Sequence, residues 1–101
     1  MAHPASYPVV ILSVNRALWG EVSSSLRSVQ VDFGKDEICL FCYFDREISA
    51  ENIESMSLVV SEVAADFPSD KVREYCIRAY YPTSIKPEED SRHIVFLRKE
   101  N

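Results

Sequence analysis

Cys39 and Cys42 have the CxxC spacing of a zinc knuckle or a redox pair. The surrounding segment EICLFCYF is typical of a β-strand, in which successive side chains alternate between two faces. Residues three apart therefore point to opposite faces and cannot share a metal ion. The sequence has no second CxxC, and its only histidines are His3 and His93. We interpret both cysteines, and Cys76, as core residues and predict neither a metal nor a cofactor.

A general acid–base site is the second chemistry that the residue types permit. His93 is a candidate base, with Asp45, Glu47 or Glu74 as its partner, and the first two carboxylates also form a candidate pair. No nucleophile elbow and no Gly-flanked serine or cysteine accompanies these residues. We therefore predict that the protein is not an enzyme. His93 is interpreted as a structural residue, and Asp45-Arg46-Glu47 as a solvated loop whose charges pair with one another.

Composition excludes several further classes of function. The 101 residues are 47% hydrophobic, which predicts one folded domain over 1–101 with loose ends at 1–7 and 99–101. Only two glycines occur, so a Gly-rich phosphate-binding loop is absent. The net charge of -5 argues against direct contact with nucleic acid and favours a basic protein partner.

The sequence predicts a cytoplasmic protein that makes no membrane contact. The N-terminal segment lacks an early Lys or Arg, and its apolar run at 9–12 is too short for a signal-peptide core. No stretch approaches the ~20 apolar residues needed to span a bilayer. Three cysteines, an odd number, indicate a reducing compartment.

One amphipathic helix, predicted over residues 48–68, organises the rest of the chain. Ser49 can cap its N-terminus, negative charge follows near the positive end of the helix dipole, and Phe67-Pro68 ends it. At ~100° per residue, seven side chains form an apolar face directed at the core: Ile53, Met56, Val59, Val60, Val63, Ala64 and Phe67.

The opposite face of this helix is acidic, and no basic residue of the helix interrupts it. Its members are Glu51, Glu54, Glu62 and Asp66, with Leu58 among them. A solvated helix surface is one explanation, although such surfaces usually mix charges of both signs. A binding surface is the other, since an apolar anchor inside an acidic ring suits a contact that is first steered and then desolvated. A second acidic cluster, which completes the predicted partner-binding set, comprises Glu88, Glu89 and Asp90.

The remaining elements predict an α+β fold. A first helix is predicted over 8–19, with Pro8 in its first turn and four residues facing inward: Ile11, Val14, Leu18 and Trp19. A buried strand is the alternative for its apolar start. Strands are predicted over 26–33, 37–44, 72–81 and 93–98. The second is apolar on both faces, as expected of a central strand covered on each side. Two helices then pack on an antiparallel sheet of about four strands, in the order α-β-β-α-β-β.

Three tyrosines of the third predicted strand and the residues after it, Tyr75, Tyr80 and Tyr81, suit a pocket or an interface as well as a strand core. Residues 82–91 form a polar loop that carries the second acidic cluster.

The sequence also resembles a known group of proteins. Five segments carry the resemblance: RALWGEV at 16–22, LRSV at 26–29, CYFDREI at 42–48, EVAADFP at 62–68 and VFLRKE at 95–100. They resemble a family of small bacterial proteins with an ALxGEV…LRxV…FYFDxEI…EVxADFP…YLRKE pattern. That family is similar to the immunity proteins of contact-dependent inhibition and colicin-type toxin systems. The resemblance implies a cytoplasmic protein that binds and blocks a toxin domain, commonly a nuclease.

Three hypotheses about function follow. The first is an immunity-type protein without catalysis, whose acidic surface complements the basic cleft of a nuclease. The second is a small homodimer that pairs through an exposed sheet edge or its tyrosine-rich strand. The third is an enzyme built on Asp45, Glu47 and His93, and it lacks any nucleophile signature.

Overall fold

A computed structural model describes residues 6–34, 36–87 and 91–100 of the chain. Six elements follow one another: α1 (Tyr7–Ala17), β1 (Leu26–Gly34), β2 (Glu37–Phe44), α2 (Ala50–Asp66), β3 (Lys71–Arg78) and β4 (His93–Leu97). The predicted α+β class and the order α-β-β-α-β-β are confirmed, and the apolar start of α1 is helical rather than a strand. Within the described ranges, neither helix has the length and hydropathy of a membrane-spanning segment.

The four strands form one sheet in the order β3-β2-β1-β4. β1 pairs antiparallel with both β2 and β4, but β3 runs parallel to β2. The prediction of a purely antiparallel sheet is therefore wrong, and the sheet is mixed. The reason is the connection: the 17-residue α2 crosses over the sheet and returns the chain to the end where β2 begins, which gives a parallel neighbour.

Both helices pack on one face of the sheet and form the core with it. Met56, Val59 and Val63 of α2 are fully buried, as the sequence predicts. Ile53 is not, since half of its surface (50%) is exposed, and Val60 is only partly buried. Val60 lies on the side of α2 that faces β3, the edge strand, and lines a cavity there with Val72 and Tyr75.

The other face of the sheet is covered by the chain between β3 and β4. The buried Gln30 donates a hydrogen bond from its amide to the carbonyl oxygen of Ile85. The Arg92 guanidinium lies 3.6 Å from the centroid of the Phe41 ring and donates to the Tyr43 hydroxyl. β2 is therefore a central strand covered on both faces, as its apolar sequence predicts.

An ionic cluster, comprising Arg27, Asp45, Arg98 and Glu100, fastens the C-terminal segment to the sheet. The Arg27 side chain is only 3% exposed and donates two hydrogen bonds to the Glu100 carboxylate, at 2.7 and 3.0 Å. It also donates to the carbonyl oxygens of Ala79 and Thr83. Arg98 donates to both carboxylates of the cluster. The cluster thus joins β1, the start of the β3–β4 connection, the loop after β2 and the segment after β4.

Candidate partner-binding surface

α2 begins and ends as its sequence predicts. The Ser49 hydroxyl accepts a hydrogen bond from the Asn52 amide at 3.1 Å, which caps the helix N-terminus. The helix ends at Asp66, immediately before Phe67-Pro68. These boundaries fix which side chains project outward.

The outward face of α2 carries the acidic residues predicted to bind a partner. Glu51, Glu54 and Glu62 are all exposed. Leu58 lies among them with half of its surface (50%) exposed. This part of the surface therefore combines exposed carboxylates with one apolar side chain, as predicted from the sequence.

Asp66, the fourth acidic residue of this face, is engaged within the molecule. Its carboxylate accepts a hydrogen bond from the Ser13 hydroxyl at 2.7 Å and forms an ion pair with Arg16 at 3.1 Å. The acidic face is free of basic residues along the helix itself, but Arg16 reaches it from α1. This pairing lowers the negative charge at the C-terminal end of the face and leaves its middle acidic.

A groove between α1 and α2 continues this surface. Its lining comprises Ser13, Arg16, Trp19, Glu62, Ala65 and Asp66. The prediction that Trp19 faces inward is wrong, since 77% of its surface is exposed. α1 ends at Ala17, two residues earlier, and the chain turns at Gly20 with a φ of 80°, so Trp19 leaves the helical stripe. Leu12, on the outer side of α1, is also exposed.

The second predicted acidic cluster, Glu88, Glu89 and Asp90, lies outside the described residues. Its assignment to the partner-binding set stays a prediction.

Three of the four residues considered for acid–base catalysis have structural partners, and the fourth, Glu47, is exposed. The His93 ring stacks on Tyr7, with centroids 3.7 Å apart. Asp45 accepts a hydrogen bond from the Tyr81 backbone amide and one from Arg98, and both lower its pKa. The expectation that Asp45 pairs within its own loop is therefore wrong, because its cation comes from the C-terminal segment. Glu74 accepts a hydrogen bond from the Ser57 hydroxyl.

Cys42 is buried in the core and Cys76 packs against it, as predicted, but the prediction that Cys39 is a core residue is wrong, because it is only half-buried and lies outside the core. Cys39 and Cys42 are three apart in β2 and so point to opposite faces of the sheet, and Cys42 is directly opposite Cys76 of β3. Burial raises the pKa of Cys39 to about 11, and a hydrogen bond with Cys76 together with burial raises the pKa of Cys42. In the part of the chain that the structure describes, no group of three His, Cys, Asp or Glu side chains is arranged to hold a metal ion.

The three tyrosines of interest lie on the surface rather than in the core. Tyr75 is exposed on β3 and its ring stacks on that of Phe41. Tyr80 and Tyr81 are exposed beyond the end of the strand, because β3 ends at Arg78 rather than at 81.

Comparison with known families identifies the chain. The family model for the MafI2 immunity protein matches residues 8–100. The chain belongs to the MafI2 immunity protein family. The match includes α1, the whole sheet, α2 and the ionic cluster, and the immunity-protein relationship expected from the sequence resemblance is confirmed. No curated protein matches the chain. Membership of the MafI2 family indicates a toxin-neutralising immunity function.

Sequence reasoning placed Trp19 on the inward side of α1 and so missed it as an exposed residue of the groove. The glycine directly after Trp19 is a common helix stop, and it put the predicted end of the helix at about Trp19. Because α1 ends at Ala17, two residues before Trp19, the helical repeat does not direct the Trp19 side chain inward.

Proposed function

We propose that this MafI2 family member is a cytoplasmic immunity protein that binds the nuclease domain of a bacterial toxin through the acidic face of α2. The observation that carries the proposal is the exposed group of Glu51, Glu54 and Glu62 around Leu58. The family supports a toxin as the partner. The charge supports a basic partner, because the chain carries a net charge of -5.

Electrostatics explains how such a surface inhibits a nuclease. A nuclease binds the phosphate backbone with basic side chains, so its cleft is attractive to an acidic protein face. Carboxylates of opposite sign accelerate encounter and set the orientation of docking. Leu58 then loses its water shell against the toxin, which slows dissociation. An inhibitor that occupies the cleft excludes nucleic acid without chemistry of its own.

The test uses the toxin domain encoded by the neighbouring reading frame, inactivated at its catalytic site for binding and active for nuclease assays. The wild-type chain should bind it and suppress cleavage of DNA or RNA. The triple variant Glu51→Lys, Glu54→Lys, Glu62→Lys should associate at least ~10-fold more slowly at low salt, with a smaller difference at high salt because ions screen the charges. Leu58→Ala should speed dissociation and leave association almost unchanged.

A matched control comes from the second acidic cluster. Changing Glu88, Glu89 and Asp90 to Lys alters the net charge by the same amount at a different place. If this variant loses association and the α2 variant keeps it, the toxin meets the β3–β4 connection and the α2 assignment is wrong. If the wild-type chain inhibits a toxin that cuts no nucleic acid, the nuclease part of the proposal fails.

A homodimer is the competing function, and the sheet offers one observation in its favour. β3 and β4 are edge strands, and Tyr75 is exposed on β3. Sedimentation equilibrium of the purified chain distinguishes the two proposals: an immunity protein that uses α2 is expected to be monomeric before it meets its toxin.

A further inference from the structure

We infer that Trp19 is the principal apolar anchor for the toxin and that the contact surface extends from α2 across the groove onto α1. This inference rests on the proposed function and adds to it a second element and a residue that charge patterning does not identify. It concerns a different helix from Leu58, so the two contributions can be separated by mutation.

The first argument is the exposure of Trp19. It is 77% exposed, more than any other large hydrophobic residue among those the structure describes. Single exposed apolar residues are common and need no explanation, but tryptophan has the largest apolar surface to leave in water. Tryptophan is also enriched among the few interface residues that carry most of the binding energy. Nothing in the fold requires a tryptophan at this turn, since its ring covers little of the core.

The second argument is position. Trp19 shares a groove with Glu62 and Ala65, and Glu62 is one helical turn after Leu58. Glu62, an exposed carboxylate, is therefore a neighbour of both Trp19 and Leu58. Farther along the same groove the Arg16–Asp66 ion pair, at 3.1 Å, joins the two helices.

Leu12 completes the surface at the α1 end. It is 59% exposed and lines the adjoining cavity with Val9, Ser13, Arg16, Asp66 and Phe67. The resulting surface combines the apolar side chains of Leu12, Trp19 and Leu58 with Glu62 and the Arg16–Asp66 ion pair. That arrangement matches an interface in which apolar anchors are surrounded by polar contacts that exclude water.

The charge of the groove indicates which kind of protein surface binds there. In a symmetric dimer built on this groove, the same patch meets itself. Arg16, the one cation among the described residues that line the groove, already pairs with Asp66, so Glu62 of one copy would meet carboxylates of the other without a free cation. Like charges at such a contact are unfavourable. A basic protein surface instead brings Lys or Arg to Glu62 and an apolar pocket to Trp19. The toxin's basic surface is therefore the occupant that fits, in continuity with the acidic face of α2.

The chain contains one tryptophan, so Trp19 can report on its own surroundings. Incorporating 5-fluorotryptophan into the immunity protein alone gives a single ¹⁹F resonance, whatever tryptophans the toxin contains. On addition of the catalytically inactivated toxin domain from the neighbouring reading frame, this resonance should shift and lose its sensitivity to solvent H₂O/D₂O exchange. Both changes are expected because the ring leaves water.

Mutations measure the contribution of the ring. Trp19→Ala should dissociate from the toxin at least ~30-fold faster, with an association rate within about 3-fold of wild type, as expected of a buried anchor. Trp19→Phe should recover most of the lost residence time. Leu12→Ala should have a smaller effect in the same direction. Leu97→Ala is its matched control, since Leu97 is equally exposed (58%) but lies on β4, outside the groove. Circular dichroism should show all four variants folded.

The outcomes separate this inference from the proposed function. If the toxin binds wild type and the α2 charge variant weakens binding, but Trp19→Ala and the ¹⁹F resonance show no change, the proposed function stands and the anchor is wrong. If the wild-type chain does not bind the toxin, both fail. If the resonance shifts with protein concentration in the absence of toxin, a second copy occupies the groove and the inference is overturned.

Discussion

Two arginines make ion pairs of similar length in very different surroundings. Arg27 and Glu100 are 2.7 Å apart with side chains 3% and 18% exposed, whereas Arg16 and Asp66 are 3.1 Å apart with side chains 54% and 39% exposed. Removing one member of a buried pair leaves the other charge and its hydrogen-bonding groups unsatisfied. Exposed pairs contribute little because water and salt screen them.

The comparison gives a prediction at the scale of a single residue. Arg27→Ala should lower the free energy of unfolding by roughly 3–5 kcal/mol, because two backbone carbonyls lose their donor and Glu100 keeps only Arg98. Arg16→Ala should change it by less than about 1 kcal/mol. Urea denaturation of the two variants measures both values. If Arg27→Ala and Arg16→Ala lowered the free energy of unfolding equally, the buried ionic cluster would not stabilise the fold more than an exposed ion pair does.

Within α2, two serines of similar exposure allow a test of capping. Ser49 caps the helix and accepts the Asn52 amide proton, while Ser61 donates to the carbonyl oxygen of Ser57 inside the helix. Ser49→Ala should cost about 1 kcal/mol of stability because a helix N-terminal amide loses its acceptor. Ser61→Ala should be neutral or slightly stabilising, since alanine is the better helix former. Thermal unfolding of the pair checks this, and an equal loss in both variants would contradict the capping role.

The elements that the sequence predicts well are those with local signals. α2 has its cap, its proline stop and a 3.6-residue repeat within its own segment. In the β1–β2 hairpin, an alternating strand is followed by a continuous apolar strand. The direction of β3 is not local, because alternation is the same in parallel and antiparallel strands. The direction of β3 depends on how α2 connects it to β2. Assigning each helix and strand separately from its own residues gives no information about that connection.

The candidate surface was likewise predictable where its signals are local and not where they depend on packing between elements. The acidic face and Leu58 follow from helical periodicity alone. The pairing of Asp66 with Arg16 joins residues 50 positions apart, so it depends on how the two helices pack. The exposure of Trp19 depends on where α1 ends, which differs from the predicted boundary by two residues. A small error in a helix boundary thus hid the residue that we propose as the main anchor.

At the scale of the whole molecule, the ionic cluster gives folding stability a defined dependence on pH. Asp45 accepts from the Tyr81 amide and from Arg98, and Glu100 accepts from Arg27 and from Arg98, so the pKa of each carboxyl lies below its usual value. A carboxyl whose pKa is lower in the folded state binds protons more readily when the chain is unfolded. Its contribution to stability is therefore complete at pH values above the unfolded pKa of about 4 and is lost as the pH falls through the folded pKa.

The last prediction follows from the lowered pKa of these two carboxyls. Between pH 7 and about 5 the cluster should contribute a constant amount to the free energy of unfolding, and below about pH 4 this contribution should decline. Other carboxylates also titrate in this range, so the informative quantity is a difference. The double variant Asp45→Asn, Glu100→Gln should be less stable than wild type at pH 7, and the gap should narrow steadily as the pH is lowered to about 2.5. Urea denaturation at a series of pH values measures it. A gap that stays constant over the whole range would show that the two carboxyls stabilise the fold by shape and neutral hydrogen bonds, and not through the charges that join the C-terminal segment to the sheet.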